Sequence, residues 1–386
     1  MMNKGRISKV IMYLLVFGII VGCQNKSNET DAVDASKVSE NQWGYSAQYN
    51  VNEGIPVWYN HAVNTKDKLI LLKRVVENDN GGELLLEVDK KDASLKPVNN
   101  DVTNNCSIDN PTVCSGYIEE NLEDIKYYNN HLYYFYSDVN AETNKYEIVI
   151  SEMDLDGGNK DEKLRLTLQL EQEGNSFIGT FHNGYLYSIL SNELIKINVD
   201  NWEYESVLKN EKGSLFGMQF HQDKLFIFAT NYIYEGKSYA TADVEIDLKN
   251  NDILSVKQVR DGSMHEDDKF MFPYDMSGQY LLNKENNNEV KLGSAWGNIV
   301  VSEKYYLVSL TNEIEQNRFV LLNKNGEVTD EHAIINGGSH AILLEDDLFY
   351  YLENITDNEG VVVERILHRV DIKDGLFGDD KALFTY

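Results

Sequence analysis

The sequence predicts an all-β protein, a β-propeller of seven blades, with six to eight also compatible with the spacing. Two observations carry this reading: a hydrophobic periodicity of two, and a short motif that recurs at intervals of about 40–55 residues. Tyr, Phe, Val, Ile and Leu gather in short runs bounded by Asn, Asp and Gly, the pattern of half-buried strands and their turns. The 24 tyrosines and 14 phenylalanines suit aromatic side chains packed on pleated sheets. No long amphipathic stretch with helix caps is present.

The repeated motif is a polar turn, then Leu, then one or two aromatic or β-branched residues. In chain order, Lys68-Leu69-Ile70-Leu71-Leu72 opens the first blade. Clear copies follow at Tyr128-Asn129-Asn130-His131-Leu132-Tyr133-Tyr134, Phe181-His182-Asn183-Gly184-Tyr185-Leu186-Tyr187 and Phe220-His221-Gln222-Asp223-Lys224-Leu225-Phe226. Two more stand at Ser302-Glu303-Lys304-Tyr305-Tyr306-Leu307-Val308 and Glu345-Asp346-Asp347-Leu348-Phe349-Tyr350. Leu132 to Leu186 is 54 residues, Leu186 to Leu225 is 39, and Leu307 to Leu348 is 41. Between Leu225 and Leu307 there is one unclear unit, around Gly278-Gln279-Tyr280-Leu281-Leu282.

The polar turn joins an inner strand to a second strand, whose Leu and aromatics pack on the next blade. A third strand then ends in its own turn, as at Met153-Asp154-Leu155-Asp156-Gly157-Gly158-Asn159, Ile197-Asn198-Val199-Asp200-Asn201 and Leu322-Asn323-Lys324-Asn325-Gly326. Asp-Gly and Asn-Gly supply the positive φ angles of hairpin turns. Lys381-Ala382-Leu383-Phe384-Thr385-Tyr386 reads as a last strand with no successor. The expectation is that a terminal segment closes the ring by sharing a blade with the other end, which removes an exposed edge. Through the Asn/Asp-x-x-Leu-aromatic turns and the 153–159 stretch, the chain from about Val57 to Tyr386 resembles the TolB-like and DUF5050-type propellers of bacterial envelope lipoproteins.

The N-terminus has a different grammar. Lys4, Arg6 and Lys9 precede an apolar run from Val10 to Ile20, and Ile20-Val21-Gly22-Cys23 follows. This resembles the lipobox of bacterial lipoproteins, with a small residue before a cysteine at the cut site. The resemblance implies a signal peptide over 1–22 and a lipidated Cys23, which anchors the protein to the outer face of the cell membrane. More than one acyl chain, palmitate among them, is needed for stable anchoring. An uncleaved anchor helix is the alternative. Residues 23–48 are polar and read as a flexible stalk, leaving 49–386 for the propeller. With only four prolines in the whole chain and no Gly/Ser-rich linker, that region reads as one domain.

Formal charge is −28, and loss of the three signal-peptide cations makes it −31. Such a surface repels nucleic acid and anionic head groups, so nucleic acid is excluded as a partner; excess acid also simply keeps a protein dispersed. Of the three cysteines, lipidation of Cys23 leaves Cys106 and Cys114. With seven residues between them, in an exported setting, they read as a disulfide, whose closure contributes about 2–3 kcal/mol. A metal pair is the alternative, but no further cysteine or nearby histidine completes a site.

No motif announces catalysis. A Gly-x-Ser-x-Gly elbow, a P-loop and a dinucleotide fingerprint are all missing. The stretch Asp154 to Asp161 offers carboxylates at alternate positions, Asp154 and Asp156, as calcium loops do, but it lacks the closing Glu of an EF-hand and reads as a hairpin turn. His265-Glu266-Asp267-Asp268-Lys269 has Lys269 where a zinc motif needs its second His. His131, His182 and His221 sit in or beside the repeated turns and read as structural. Accordingly no metal, cofactor or catalytic residue is assigned. Trp58 and Trp296 stand near expected blade entries, where they either stack on a sugar or peptide at the central funnel or pack between blades. The expected function is binding of an extracytoplasmic protein, peptide or glycan. The alternative is an envelope hydrolase or lyase with carboxylates at the propeller axis.

Overall fold

The computed structural model describes residues 62–385, apart from 78–79, 121, 141, 144, 168–176, 191, 222, 259–262, 276–277, 295–298, 311–316, 335–339 and 357–361. Seven antiparallel sheets follow one another along the chain, each of four strands in sequence order, which is a seven-bladed β-propeller. Blade 1 spans residues 62–118, blade 2 122–167, blade 3 177–209, blade 4 215–258, blade 5 263–293, blade 6 299–333 and blade 7 340–385. Strands are lettered A to D from the axis outward. Blade 1 carries a fifth short strand, Tyr117–Ile118, on its strand C.

The period of two does the packing. In strand B of blade 7, Leu348–Thr356, Phe349 and Tyr351 pack against blade 6, beside Phe319 and Leu321. Leu348 and Tyr350 point the other way, onto Ala62, Leu69 and Leu71 of blade 1. A blade buried on both faces has no polar face to alternate with, so its strands read as continuous apolar runs. Equivalent clusters join blades 1 and 2 through Ile70, Leu132 and Met153, and blades 2 and 3 through Phe135, Phe181 and Ile195. Blades 3 and 4 meet at Tyr187, Phe220 and Ile227, and blades 5 and 6 at Phe272, Tyr306 and Val308.

Closure of the ring differs from the sequence expectation. Strand D of blade 7, Leu376–Thr385, pairs only with its own strand C, and blade 1 builds its sheet from its own segments. Among the described residues no terminal strand is exchanged. The ends are joined instead by side chains: the Ile342–Leu71 cluster, the Lys90–Glu345 ion pair, and Arg369 Nη1 donating to the Lys90 carbonyl at 2.8 Å. The edge is made tolerable by charge, since Asp379, Asp380 and Lys381 lie on it.

The unclear unit is blade 5. Its A–B turn is Asp267-Asp268-Lys269, and Met271 stands where blades 1 to 4 have Leu69, Leu132, Leu186 and Leu225. Gly278–Asn283, the stretch that drew attention, is strand C and not strand B. A second repeat lies at the C–D turns, which end each third strand. Asp89–Ser94, Asn198–Glu203, Asp247–Asp252 and Asn283–Asn288 close identically. The first residue's side chain accepts the N–H two positions on, and the fifth residue (Ala93, Trp202, Asn251, Asn287) has φ near +60°. Asn and Asp serve at the first position because their short side chains mimic a backbone turn.

Candidate functional site

Strand length differs among blades, and the difference is all at the B–C end. In blades 3, 5 and 6 strands B and C have six residues each. Blade 4 has eleven in each, Lys224–Tyr234 and Lys237–Asp247. Pairing with strand A stops at Ala229 and with strand D at Ala242. Residues 230–241 therefore leave the sheet as a two-stranded ribbon, closed by Glu235 (φ 48°) and Gly236 (φ 78°) in a tight turn. Blade 2 does the same over 137–146, where pairing to strands A and D ends at Tyr136 and Glu147. Blades 1 and 7 also extend past their A strands.

A two-stranded ribbon is marginal alone, so each has support. Tyr232 is buried among Met218, Leu215 and Ala229. Gly213 lies under the ribbon so closely that a Cβ there would fall 1.8 Å from the Thr230 carbonyl oxygen. In blade 2, Arg165 grips Asp138 at 2.7 Å and Glu147 at 3.0 Å. Among polar neighbours such as Asp138, Lys145, Asn231 and Lys237, the ribbons show three apolar side chains to solvent: Val139 (46% exposed) directly opposite Tyr146 (40%), and Ile233 (45%) on blade 4. Blade 3, with its short hairpin, lies between these two tall ones. At about 3.3 Å rise per residue, the ribbons stand roughly 13–17 Å beyond the shared strands and leave a step between them.

The inner strands hold a second group of polar side chains. Asp124 and Lys126 lie two apart on strand A of blade 2, Leu122–Tyr128, and so point the same way. They are 1% and 3% exposed. Lys126 Nζ is 3.1 Å from Asp124 Oδ2, in ion-pair range but off the direction of a hydrogen bond, while Oδ1 accepts the Ile125 N–H at 2.8 Å. Burial outweighs the lysine and pushes the Asp124 carboxyl up to about 7. His182, at the end of strand A of blade 3, stacks on Phe220 at 4.4 Å. Burial pushes it down to about 4, so it is a neutral, packed ring.

The sequence-predicted residues fall in different places. Cys23, Trp58 and Trp296 lie outside the described residues, as do the side chains of His221 and His265. Cys106 and Cys114 form a disulfide across Cα atoms 4.8 Å apart. It closes a loop that reaches blade 2, where Ser115 Oγ donates to the Asp156 carbonyl at 2.7 Å. The Asp154–Asp161 stretch is the C–D turn of blade 2. Asp154 accepts from Asn159 at 2.6 Å, Asp156 from the Gly158 N–H at 2.9 Å, and Asp161 from Lys163 at 2.9 Å. Gly157 (φ 83°) is required there, since a Cβ would meet the Gly116 nitrogen at 2.6 Å. His131 Nδ1 bonds the Asn129 carbonyl at 2.9 Å, within its own turn. No group of three or more metal-ligating side chains is found among the described residues.

The ribbons were missed although a signal existed. Tyr232, Tyr234 and Tyr239 flank Glu235-Gly236 in an alternating run, which is hairpin grammar, but it lies outside the Leu-aromatic repeat.

No family model matches the chain, and no curated protein matches it by sequence. Solved structures resemble it in fold. The β-propeller domain of the Trilobed protease from Pyrococcus furiosus is 15% identical, covering 68% of this chain and 95% of that one, with a TM-score of 0.42. The Pyrococcus horikoshii acylaminoacyl peptidase is 15% identical with a TM-score of 0.35; the match covers 68% of this chain and 52% of that one, about half its length. KlHsv2 with loop 6CD replaced by a Gly-Ser linker is 9% identical, covering 83% and 96%, with a TM-score of 0.47. At such identities the likeness concerns fold alone.

Proposed function

We propose that this protein is a lipid-anchored extracytoplasmic binding module, held at the membrane through Cys23, whose propeller takes a protein, peptide or glycan ligand at the step between the ribbons of blades 2 and 4. The observation that carries the reading is the pair of projecting ribbons with Val139, Tyr146 and Ile233 exposed. Aromatic and aliphatic side chains on a rigid, raised support are the material of binding hot spots. The lipobox-like Ile20-Val21-Gly22-Cys23 supports the address. The hydrolase or lyase alternative draws on acids at the axis, and Asp124, the most buried of these, is sealed from any substrate.

Two expected results follow. Cys23→Ala abolishes incorporation of labelled palmitate and releases the protein from the membrane fraction; retention of label and location overturns the anchor. For binding, the mature chain is used to capture partners from envelope extract, beside the double variant Tyr146→Glu, Ile233→Glu. A species retained by the parent and lost at least tenfold by the variant, with melting unchanged, supports the site. Tenfold corresponds to about 1.4 kcal/mol, within the range of a single hot-spot contact. Equal retention by both moves the ligand away from the ribbons.

A further inference from the structure

Blades 6 and 7 are joined by more than apolar packing. His368, on strand C of blade 7 (Val362–Lys373), has a carboxylate at each ring nitrogen. Nδ1 is 2.8 Å from Asp380 Oδ1, and Nε2 is 3.0 Å from Glu353 Oε2. The other oxygen of Asp380 accepts the Tyr351 hydroxyl at 2.6 Å and lies 3.1 Å from Nε2 of His332, which belongs to strand D of blade 6. The Tyr351 ring stacks on His368 at 4.5 Å and 15°. His332 presents its ring to Tyr351 and Phe377. The side chains of His368 and Glu353 are each only 12% exposed.

A neutral imidazole has one N–H and one lone pair, and only the imidazolium donates from both nitrogens. In the neutral ring one of these two carboxylates would face a lone pair at hydrogen-bond distance, inside a crowded seam. The geometry points to a proton-set latch within blade 7, on the side that meets blade 6, closed while His368 is an imidazolium that holds both carboxylates and loosened when it loses its proton. Asp380 is the shared element, because it holds His368 and Tyr351 of its own blade and His332 of the next. The ring has no exchanged strand among its described residues, so each seam depends on its own contacts.

The groups that contact His368 are Glu353 and Tyr351 from strand B and Asp380 from strand D; from blade 6, His332 reaches Asp380 and Tyr351, and Asp330 lies two residues from it on the same strand. Asp330 is engaged by the Phe377 N–H at 2.8 Å. Arg369, Asp371 and Lys381 lie on the opposite face, toward blade 1. Burial works to lower the affinity of His368 for its proton. Hydrogen bonds and charge from Asp380 and Glu353 together outweigh it, and hold the ring above the ordinary 6.5. A raised native value fixes the sign. The stabilisation is complete below about 6.5, the unfolded value, and is lost as pH rises through the native one.

The test is thermal melting of the full-length chain in mild detergent across pH 5.5 to 9.5, with His368→Gln and, as control, His131→Gln. Above pH 6.5 the Tm of the parent and of the control should fall by about 2 °C or more relative to His368→Gln. Parallel curves for parent and His368→Gln overturn the latch. Should His368→Gln not fold, titration of the histidine Cε1–H resonances of the parent decides. One ring titrating above 6.5 supports the latch, and all eight histidines titrating at or below 6.5 overturns it.

Discussion

Replacing Asp124 by Ala should destabilise the propeller by about 3–5 kcal/mol, the cost of leaving one member of a buried ion pair uncompensated. The reciprocal change, Lys126→Met, should cost clearly less. The asymmetry follows from the carboxyl, which burial pushes up to about 7. Without Lys126 it takes up a proton and becomes neutral. Without Asp124 the Lys126 side chain stays in a site 3% exposed and loses the carboxylate it faces at 3.1 Å. The double change Asp124→Leu, Lys126→Met should recover most of the loss, because apolar groups of similar volume replace a buried pair at little cost. Chemical denaturation at pH 7 checks all three. Equal losses for the two single variants would mean that the pair does not divide its charge as described. Asp124 also has a pH signature. Its contribution is fully present below about 3.8, the unfolded value, and falls away as pH rises toward 7, so the Asp124→Leu, Lys126→Met chain should melt with a flatter profile across that window.

Deleting residues 381–386 should lower Tm by at least about 5 °C, although these residues exchange no strand with blade 1. Phe384 packs with Leu84, Leu86, Leu95 and Tyr117 of blade 1, with Lys73 Nζ 5.4 Å from its ring centre. Leu383 adds to the cluster between Leu71 and Leu367. Losing these two half-buried side chains and the pairing to Ile366–Arg369 removes on the order of 3 kcal/mol, and each kcal/mol moves Tm by roughly 2–4 °C in a chain of this class. Asp380 stays, and the loss reports on the blade 7–1 seam together with the pairing of strands C and D in blade 7. An unchanged Tm would show that this seam holds without the C-terminal strand. Phe384→Ala in the intact chain separates the packing from the strand pairing.

The fold was legible because its determinants are local. The turns at Asn129-Asn130, Asn183-Gly184 and Asp346-Asp347 each precede a strand that alternates toward two neighbours, and that pattern is written in seven to ten consecutive residues. The pairing of Cys106 with Cys114 was legible for the same reason, since the loop between them is short and holds no competing thiol. Blade 5 was obscure because Met271 fills the place of Leu, an exchange that packing accepts and a motif does not.

Closure and chemistry were written elsewhere. Arg369 and Lys90 are 279 residues apart in sequence and 2.8 Å apart at the ring's seam. His332, His368 and Asp380 belong to three separate strands, and nothing near any of them in the sequence names the other two. The sequence by itself determined strands, turns, the disulfide and the repeat, because each is settled by residues within one hairpin. The tertiary structure alone decided that, among the described residues, the ends meet by side chains without a shared strand, that blades 2 and 4 raise ribbons above blade 3, and which charges are sealed together. Those outcomes depend on distances between blades, and such distances exist only once the ring has closed.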